Sequence, residues 1–424
     1  MAEVAPFKGI RYDQSVVGDL SKVVSPPYDI ISREDRVYYH QSHPNNFVRL
    51  ILGEEFDGDD ASNNRFTRAK QYLGEWLEEG ILKQDKQPAI YVYRQQFEHD
   101  GKVKTIRGFT CAVKVHEYSD GVILPHENTL AKPKSQLAVL IRETGANLDS
   151  IYCLYADRGR VLDGVMEKAI EGDPVAETHD RDGVGHVLWM VTDPQEIGTV
   201  VNYLRDKPIA IADGHHRYET ALGYRNEMRR KRCRQGGELP ADYTIMTIVN
   251  VHEDDMSIFP THRVLDGLHA DVVEGFEESL KELFEIKQSS KETIMADMRR
   301  LNAIGMYRKG SAKTLKLKGD AGPALKGCKA GRKLELNILH TLVLERSLGI
   351  DEDKLRNQTH ISYTRDPREA VRLVDSGGRQ MAFLLNHIDV KSVLEIASAG
   401  EKMPQKATYF YPKLLSGLVL RRMD

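Results

Sequence analysis

No stretch of this sequence approaches the roughly 20 consecutive apolar residues that a membrane-spanning helix needs, and its start, MAEVAPFK, lacks the basic segment and apolar run of a secretory leader. A cytoplasmic protein without a membrane segment is the expectation. Cysteine is scarce: Cys111, Cys153, Cys233 and Cys328 are far apart and form no CxxC pair. Neither a zinc knuckle nor a disulfide framework is indicated, and a reducing compartment fits. An excess of one charge is also lacking. Lys and Arg number 60 against 63 Asp and Glu, a formal net charge of -3, so no global positive field draws the chain to nucleic acid. GxxxxGK[ST] and GxGxxG loops are absent, which excludes a Walker loop and a Rossmann turn as phosphate binders.

What remains is ordinary globular composition, 41% hydrophobic and 29% charged over 424 residues, enough for a sizeable core and more than one domain. A mixed α/β fold is expected in three regions: an N-terminal α/β region over 1–85, a core over 86–265, and a helical and mixed region over 266–424 closing on it. The prolines of Ser25-Pro26-Pro27-Tyr28-Asp29 fix a rigid loop. Apolar groups at Phe66, Ala69, Tyr72, Leu73, Trp76 and Leu77 predict a helix that Gly80 terminates. Alternating residues over 89–93 and 106–115, on either side of His99-Asp100-Gly101, predict a hairpin. Strand and helix then alternate, with Asp193 and Pro194 opening one helix. Residues 270–300 and 335–348 read as amphipathic helices, separated by a Lys/Gly-rich hairpin and loop over 309–333.

The chemistry concentrates in one place. Pro208-Ile209-Ala210-Ile211-Ala212 is a buried strand by composition; it runs into Asp213-Gly214-His215-His216-Arg217 and then into good helix formers. Backbone donors and the positive end of a helix, joined by side-chain cations, suit a phosphate or another oxyanion. Gly214 permits close backbone approach, and Arg217 offers a planar fork. His215 and His216 donate or shuttle a proton, and Asp213 binds magnesium or orients a histidine. The bland alternative is a capped helix with histidines satisfying nearby carbonyls. A second polar knot is Pro125-His126-Glu127-Asn128, where Glu127 is the candidate general base and His126, Asn128 and Tyr28 are candidate substrate contacts; a solvated turn is the alternative. His262, Arg263, Lys402, Lys406 and Lys413 are further sources of positive charge for a polyphosphate.

The motifs SPPYDII, HPNNFVRL, GFTCAVKVHEYSDGVILPHENT, ADGHHRYETAL and KMPQKATYFYPKLLSGLV together resemble the family designated domain of unknown function 1015, over nearly the whole chain. The DGHHR element on its strand, turn and helix is also similar to one in the ParB/sulfiredoxin superfamily, which includes kinases of free serine. That resemblance implies a ParB/sulfiredoxin-like core elaborated at both ends. It further implies a small-molecule phosphotransferase acting on a hydroxyl, free L-serine first, with ATP, ADP or pyrophosphate as donor and Mg2+ beside the phosphates. By it, Gly214, His215, His216 and Arg217 would hold the donor's phosphates while Asp213, His216 and a glutamate serve the chemistry. A ParB-like module binding nucleotide or nucleic acid, and a phosphoester hydrolase, are the competing expectations.

Overall fold

The computed structural model describes residues 2–232, 237–253, 255–319, 325, 330–404 and 406–423. Cys233, Cys328 and most of the loop expected before Lys333 lie outside the described residues. The fold is mixed α/β, and its contacts divide the chain into two compact units that are not consecutive regions. One comprises Met1–Leu124, Thr129–Met256 and Pro412–Asp424, the other Pro125–Asn128 and Ser257–Tyr411. No described helix is long and apolar enough to cross a membrane.

The first unit is built on one large sheet. Its strands lie in the order Ile123–Leu124, Ile209–Asp213, Ile151–Tyr155, Tyr243–Asn250, Lys102–Lys114, Ile90–His99, Gly185–Val191 and Ala176–His179, with Val4–Ala5 paired beside Lys102–Lys114. Neighbours are antiparallel except for two pairs: Ile209–Asp213 runs parallel to Ile123–Leu124, and Tyr243–Asn250 parallel to Ile151–Tyr155. The hairpin forms where expected, around Asp100 and Gly101, whose φ values of 52° and 70° supply the left-handed pair that a two-residue turn of matching twist requires. Its strands reach further toward the turn than alternation alone indicated, because pairs as close to it as Glu98 with Val103 stay in register.

Helix Arg65–Glu78 starts on a capping box at Asn64 and stops before Gly80, at φ 73°. Helix Pro194–Leu204 is capped by Asp193 with Pro194 in its first turn, as the sequence indicated. Ile211, Cys153, Phe109 and Ile248 meet in the sheet's core, and Tyr218 of helix His215–Lys231 packs into it fully buried. The Tyr218 hydroxyl donates to the His116 carbonyl at 2.7 Å and accepts from the His116 amide at 2.9 Å, which pins the start of this helix to the sheet. Both described cysteines, Cys111 and Cys153, are buried and free.

The second unit has an antiparallel sheet in the order Phe284–Ser289, Ser311–Leu317, Ile304–Arg308, Met381–Leu384, His262–Leu265, Ile361–Thr364. Helices Ile294–Leu301 and Pro367–Asp375 cover it through Ile294, Met298, Ala370, Val371 and Val374. Here the single helix expected over 270–300 is corrected: helix Ala270–Leu280 ends, strand Phe284–Ser289 follows, and a new helix begins at Ile294. Ladder bonds to Ser311–Leu317 hold residues 284–289 extended, so tertiary pairing overrides local periodicity. The helix expected over 335–348 is a short α-helix, Glu335–Ile338, continued by wider π-type turns over Leu339–Glu345. A separate ribbon pairs Ser257–Phe259 with Tyr409–Tyr411.

Candidate functional site

Strand Ile209–Asp213 is apolar and buried until its last residue, where the half-buried Asp213 emerges and Gly214 turns the chain at φ 97° into the 17-residue helix His215–Lys231. A glycine N-cap brings no side-chain acceptor to the first-turn amides, and no acidic residue stands in the first turn. The helix therefore begins with its positive end uncompensated by its own side chains.

Around Asp213 the first unit assembles residues distant in sequence. Asp213 Oδ1 accepts from the Lys413 ammonium at 2.5 Å and Oδ2 from Arg217 Nη2 at 2.8 Å, with the side chains 18%, 9% and 9% exposed respectively. Burial pushes the Asp213 carboxyl up, but Lys413 and Arg217 outweigh it and hold the group well below the usual carboxylate range. The second arm of the Arg217 fork donates to the Ser150 carbonyl. Arg217 thus braces Asp213 against the start of strand Ile151–Tyr155 and spends its fork within the protein, whereas the sequence reading offered that fork to phosphate oxygens.

Asp149 adjoins this array. Burial raises its carboxyl, with Arg217 opposing, and its Oδ1 is buried without a hydrogen-bond partner among the described residues. The Pro-rich loop arrives by pairing: Ser25 and Ser416 exchange backbone hydrogen bonds at 3.2 and 2.8 Å, joining the SPPYD and PKLLSG segments. Tyr28 is brought into the same electrostatic neighbourhood; burial first, then Asp29, raises its hydroxyl, while Arg217 opposes. His216 Nε2 accepts from the Leu130 amide at 2.8 Å, and His215 is buried.

The remaining predicted residues belong to the second unit, where they form a constellation of their own. Glu127 bridges to Met403, and its Oε1 accepts the Lys406 amide at 3.0 Å. The His126 carbonyl accepts the Met403 amide at 2.7 Å, and its fully buried ring meets Thr408 Oγ1 at 3.0 Å. Asn128 and the Lys402 and Lys406 side chains are exposed. Arg263 is entirely buried, bonded to the carbonyls of Thr261 and Lys406 and to His340 Nε2, under the Tyr363 ring; burial lowers it to about 10, which still leaves it charged. Burial, aided by Arg263, lowers His262 to about 4, so it carries no charge at neutral pH. Lys406 sits at φ 56°, with its peptide held from one side by Glu127 and from the other by Arg263.

Two residues of the Asp213 array were not singled out as site residues. Lys413 stood as one of three tail lysines, and nothing local separates it from Lys402 and Lys406. Asp149 lies in Ala146-Asn147-Leu148-Asp149-Ser150, which carries no signal at all.

The array defines a mixed α/β protein with a polar strand-to-helix turn centred on an ion-paired aspartate. Residues 4–338 match the family described as "Protein of unknown function (DUF1015)", and the chain belongs to that family. No curated protein matches it. Among solved structures it aligns with a free serine kinase in complex with AMP, at 14% identity over 68% of this chain and 83% of that one, TM-score 0.36. It also aligns with SbnI with C-terminal truncation from Staphylococcus aureus (12%, 72% and 85%, TM-score 0.37) and with a conserved hypothetical protein from Pyrococcus furiosus (11%, 69% and 89%, TM-score 0.35). Similarity at this level specifies no activity.

Proposed function

We propose that the chain is a small-molecule phosphotransferase acting on a hydroxyl, with free L-serine as first substrate and ATP, ADP or pyrophosphate as donor. The observation that carries this reading is the Lys413–Asp213–Arg217 array at a glycine-capped helix start. First-turn amides are natural acceptor-binding groups for phosphate oxygens, and the Lys413 ammonium is a point charge suited to them. Arg217 acts here as a positioning residue that keeps Asp213 ionised and aimed. The substrate oxygen bonds to the terminal phosphorus as the bond to the leaving phosphate breaks, and the hydroxyl proton passes to a carboxylate. Catalysis on this plan is positioning plus charge stabilisation.

No cluster of three metal-ligating side chains occurs among the described residues, and both Asp213 oxygens already meet cations. Magnesium belongs to this reading only as a companion of the donor's phosphates, with Asp213 as the carboxylate that would meet it. For the proton, Asp149 is supported by its raised carboxyl and unbonded Oδ1. Glu127 stays a proposal to be decided by substitution.

The test is phosphoserine formation from L-serine and magnesium with each of the three donors. Wild type is expected to turn over with at least one donor, and Asp213→Ala and Lys413→Ala to lose about 10²-fold or more in kcat, the scale of removing one charge-stabilising group. Asp149→Asn and Glu127→Gln decide the base. Phosphate release without phosphoserine would make the protein a hydrolase, and no product with any donor would overturn the reading.

A further inference from the structure

Apart from the Asp213 turn, the first unit carries a polar cavity of about 380 Å³, lined by Arg94, Thr105, Arg107, Arg160, Glu253 and Asp255. Strand direction fixes its place. Asp213 pairs with Tyr152, near the start of Ile151–Tyr155. That strand's other end leads to Arg160, and its parallel neighbour Tyr243–Asn250 leads to Glu253. The cavity is therefore at the opposite end of the sheet from the Asp213 turn.

Three arginines face three carboxylates there, but the pairing is uneven. Asp163 takes Arg107 Nη2 at 3.3 Å and Arg160 Nε at 2.7 Å, and Glu253 lies 3.6 Å from each of the same two arginines. Asp255 accepts the Thr105 amide at 2.8 Å. Arg94 has no carboxylate: among the described residues its guanidinium makes no hydrogen bond or ion pair, and its buried Nε is unsatisfied. The group lies 4.9 Å from the centroid of the Trp189 ring. Arg94 also stands directly across the hairpin from Arg107, a like-charge pairing that destabilises a sheet and calls for a counter-charge.

We propose that this cavity binds a small oxyanion, a phosphate or carboxylate group, with the Arg94 guanidinium as its fork. The planar group presents two parallel donors to such an anion, and stacking on Trp189 fixes the plane of the fork. Arg107 and Arg160 stand behind it, already paired with Asp163 and Glu253, which leaves the Arg94 fork as the donor pair open to an anion. The site is separate from the phosphoryl-transfer reading and does not depend on it.

Calorimetric titration of the full chain at low ionic strength tests this, with inorganic phosphate and citrate as separate probes and near-ultraviolet dichroism as the check on folding. Saturable binding of at least one probe is expected. Lys413→Met, which removes the cation of the turn, should retain it, Arg94→Gln should weaken it about tenfold or more, and Arg94→Lys, which keeps the charge but not the fork, should fall between. Comparing the probes tells a phosphate from a carboxylate site. Binding that is lost in Lys413→Met and unchanged in both Arg94 variants would assign the anion to the turn and overturn the proposal, as would the absence of saturable binding by either probe.

Discussion

Replacing Asp213 with asparagine should destabilise the first unit through a definable mechanism. One carboxylate serves two cations, Lys413 through Oδ1 and Arg217 through Oδ2, in a setting where all three side chains are at most 18% exposed. A carboxamide offers one acceptor and turns its NH2 toward the other cation, so a donor faces a donor and two buried charges lose their shared counter-ion. Removing one partner from a buried pair costs about 3–5 kcal/mol. The lower end is expected, because Asp149 lies in the field of Arg217 and gains from ionising once Asp213 is gone. Both tryptophans, Trp76 and Trp189, belong to the first unit, so urea unfolding followed by tryptophan fluorescence reports on that unit. The native carboxyl of Asp213 is depressed, so its contribution is full above the unfolded value of about 3.9 and fades as pH falls from there through the native one. The gap between wild type and variant should stay level from about pH 5 to 8 and close in stronger acid. Lys413→Met leaves Asp213 with Arg217 and should cost less, about 1.5–3 kcal/mol. The double variant should be less destabilised than the sum of the single ones, by about 0.5–3 kcal/mol. A loss under about 1 kcal/mol for Asp213→Asn, or strict additivity, would refute the buried-array account.

Gly214→Ala places a Cβ 2.9 Å from Arg217 Nε on a backbone at φ 97°, which should cost about 1–3 kcal/mol in the same fluorescence assay and reduce phosphoryl transfer by displacing Arg217; an unchanged midpoint would refute it. In the second unit, Glu127→Ala should speed hydrogen exchange at the Lys406 amide several-fold, for a bond worth about 1 kcal/mol. Glu127→Gln, which keeps an acceptor oxygen, should leave exchange slow, and equal exchange in wild type and the Ala variant would show that the bond holds nothing.

The hairpin at Asp100-Gly101, the Asp193-Pro194 helix start and the strand, turn and helix through DGHHR were legible because each is written in contiguous residues whose backbone preferences agree. The Asp213–Arg217 pair is local too, four residues apart across the first helical turn. Lys413 meets Asp213 across 200 residues, and the Ser25–Ser416 pairing spans nearly the whole chain, so no local pattern announces either. Phe284–Ser289 was hidden for the opposite reason: its short periodicity suits a helix as well as an edge strand until Ser311–Leu317 pairs with it. The contacts of Glu127 and Arg263 were not legible either. Both grip the Lys406 peptide, a contact that their side-chain chemistry alone does not suggest.

The ribbon joining Ser257–Phe259 to Tyr409–Tyr411 bears on what a truncated chain would lose. Ser257 pairs with Tyr411, so the two ends of the segment between Met256 and Pro412 are cross-strand neighbours, about 5 Å apart. The segment is a long excursion of the chain that leaves and re-enters at nearly one point. Truncation anywhere between Ser257 and Tyr411 therefore strips Lys413 from Asp213, although the cut falls in the other unit.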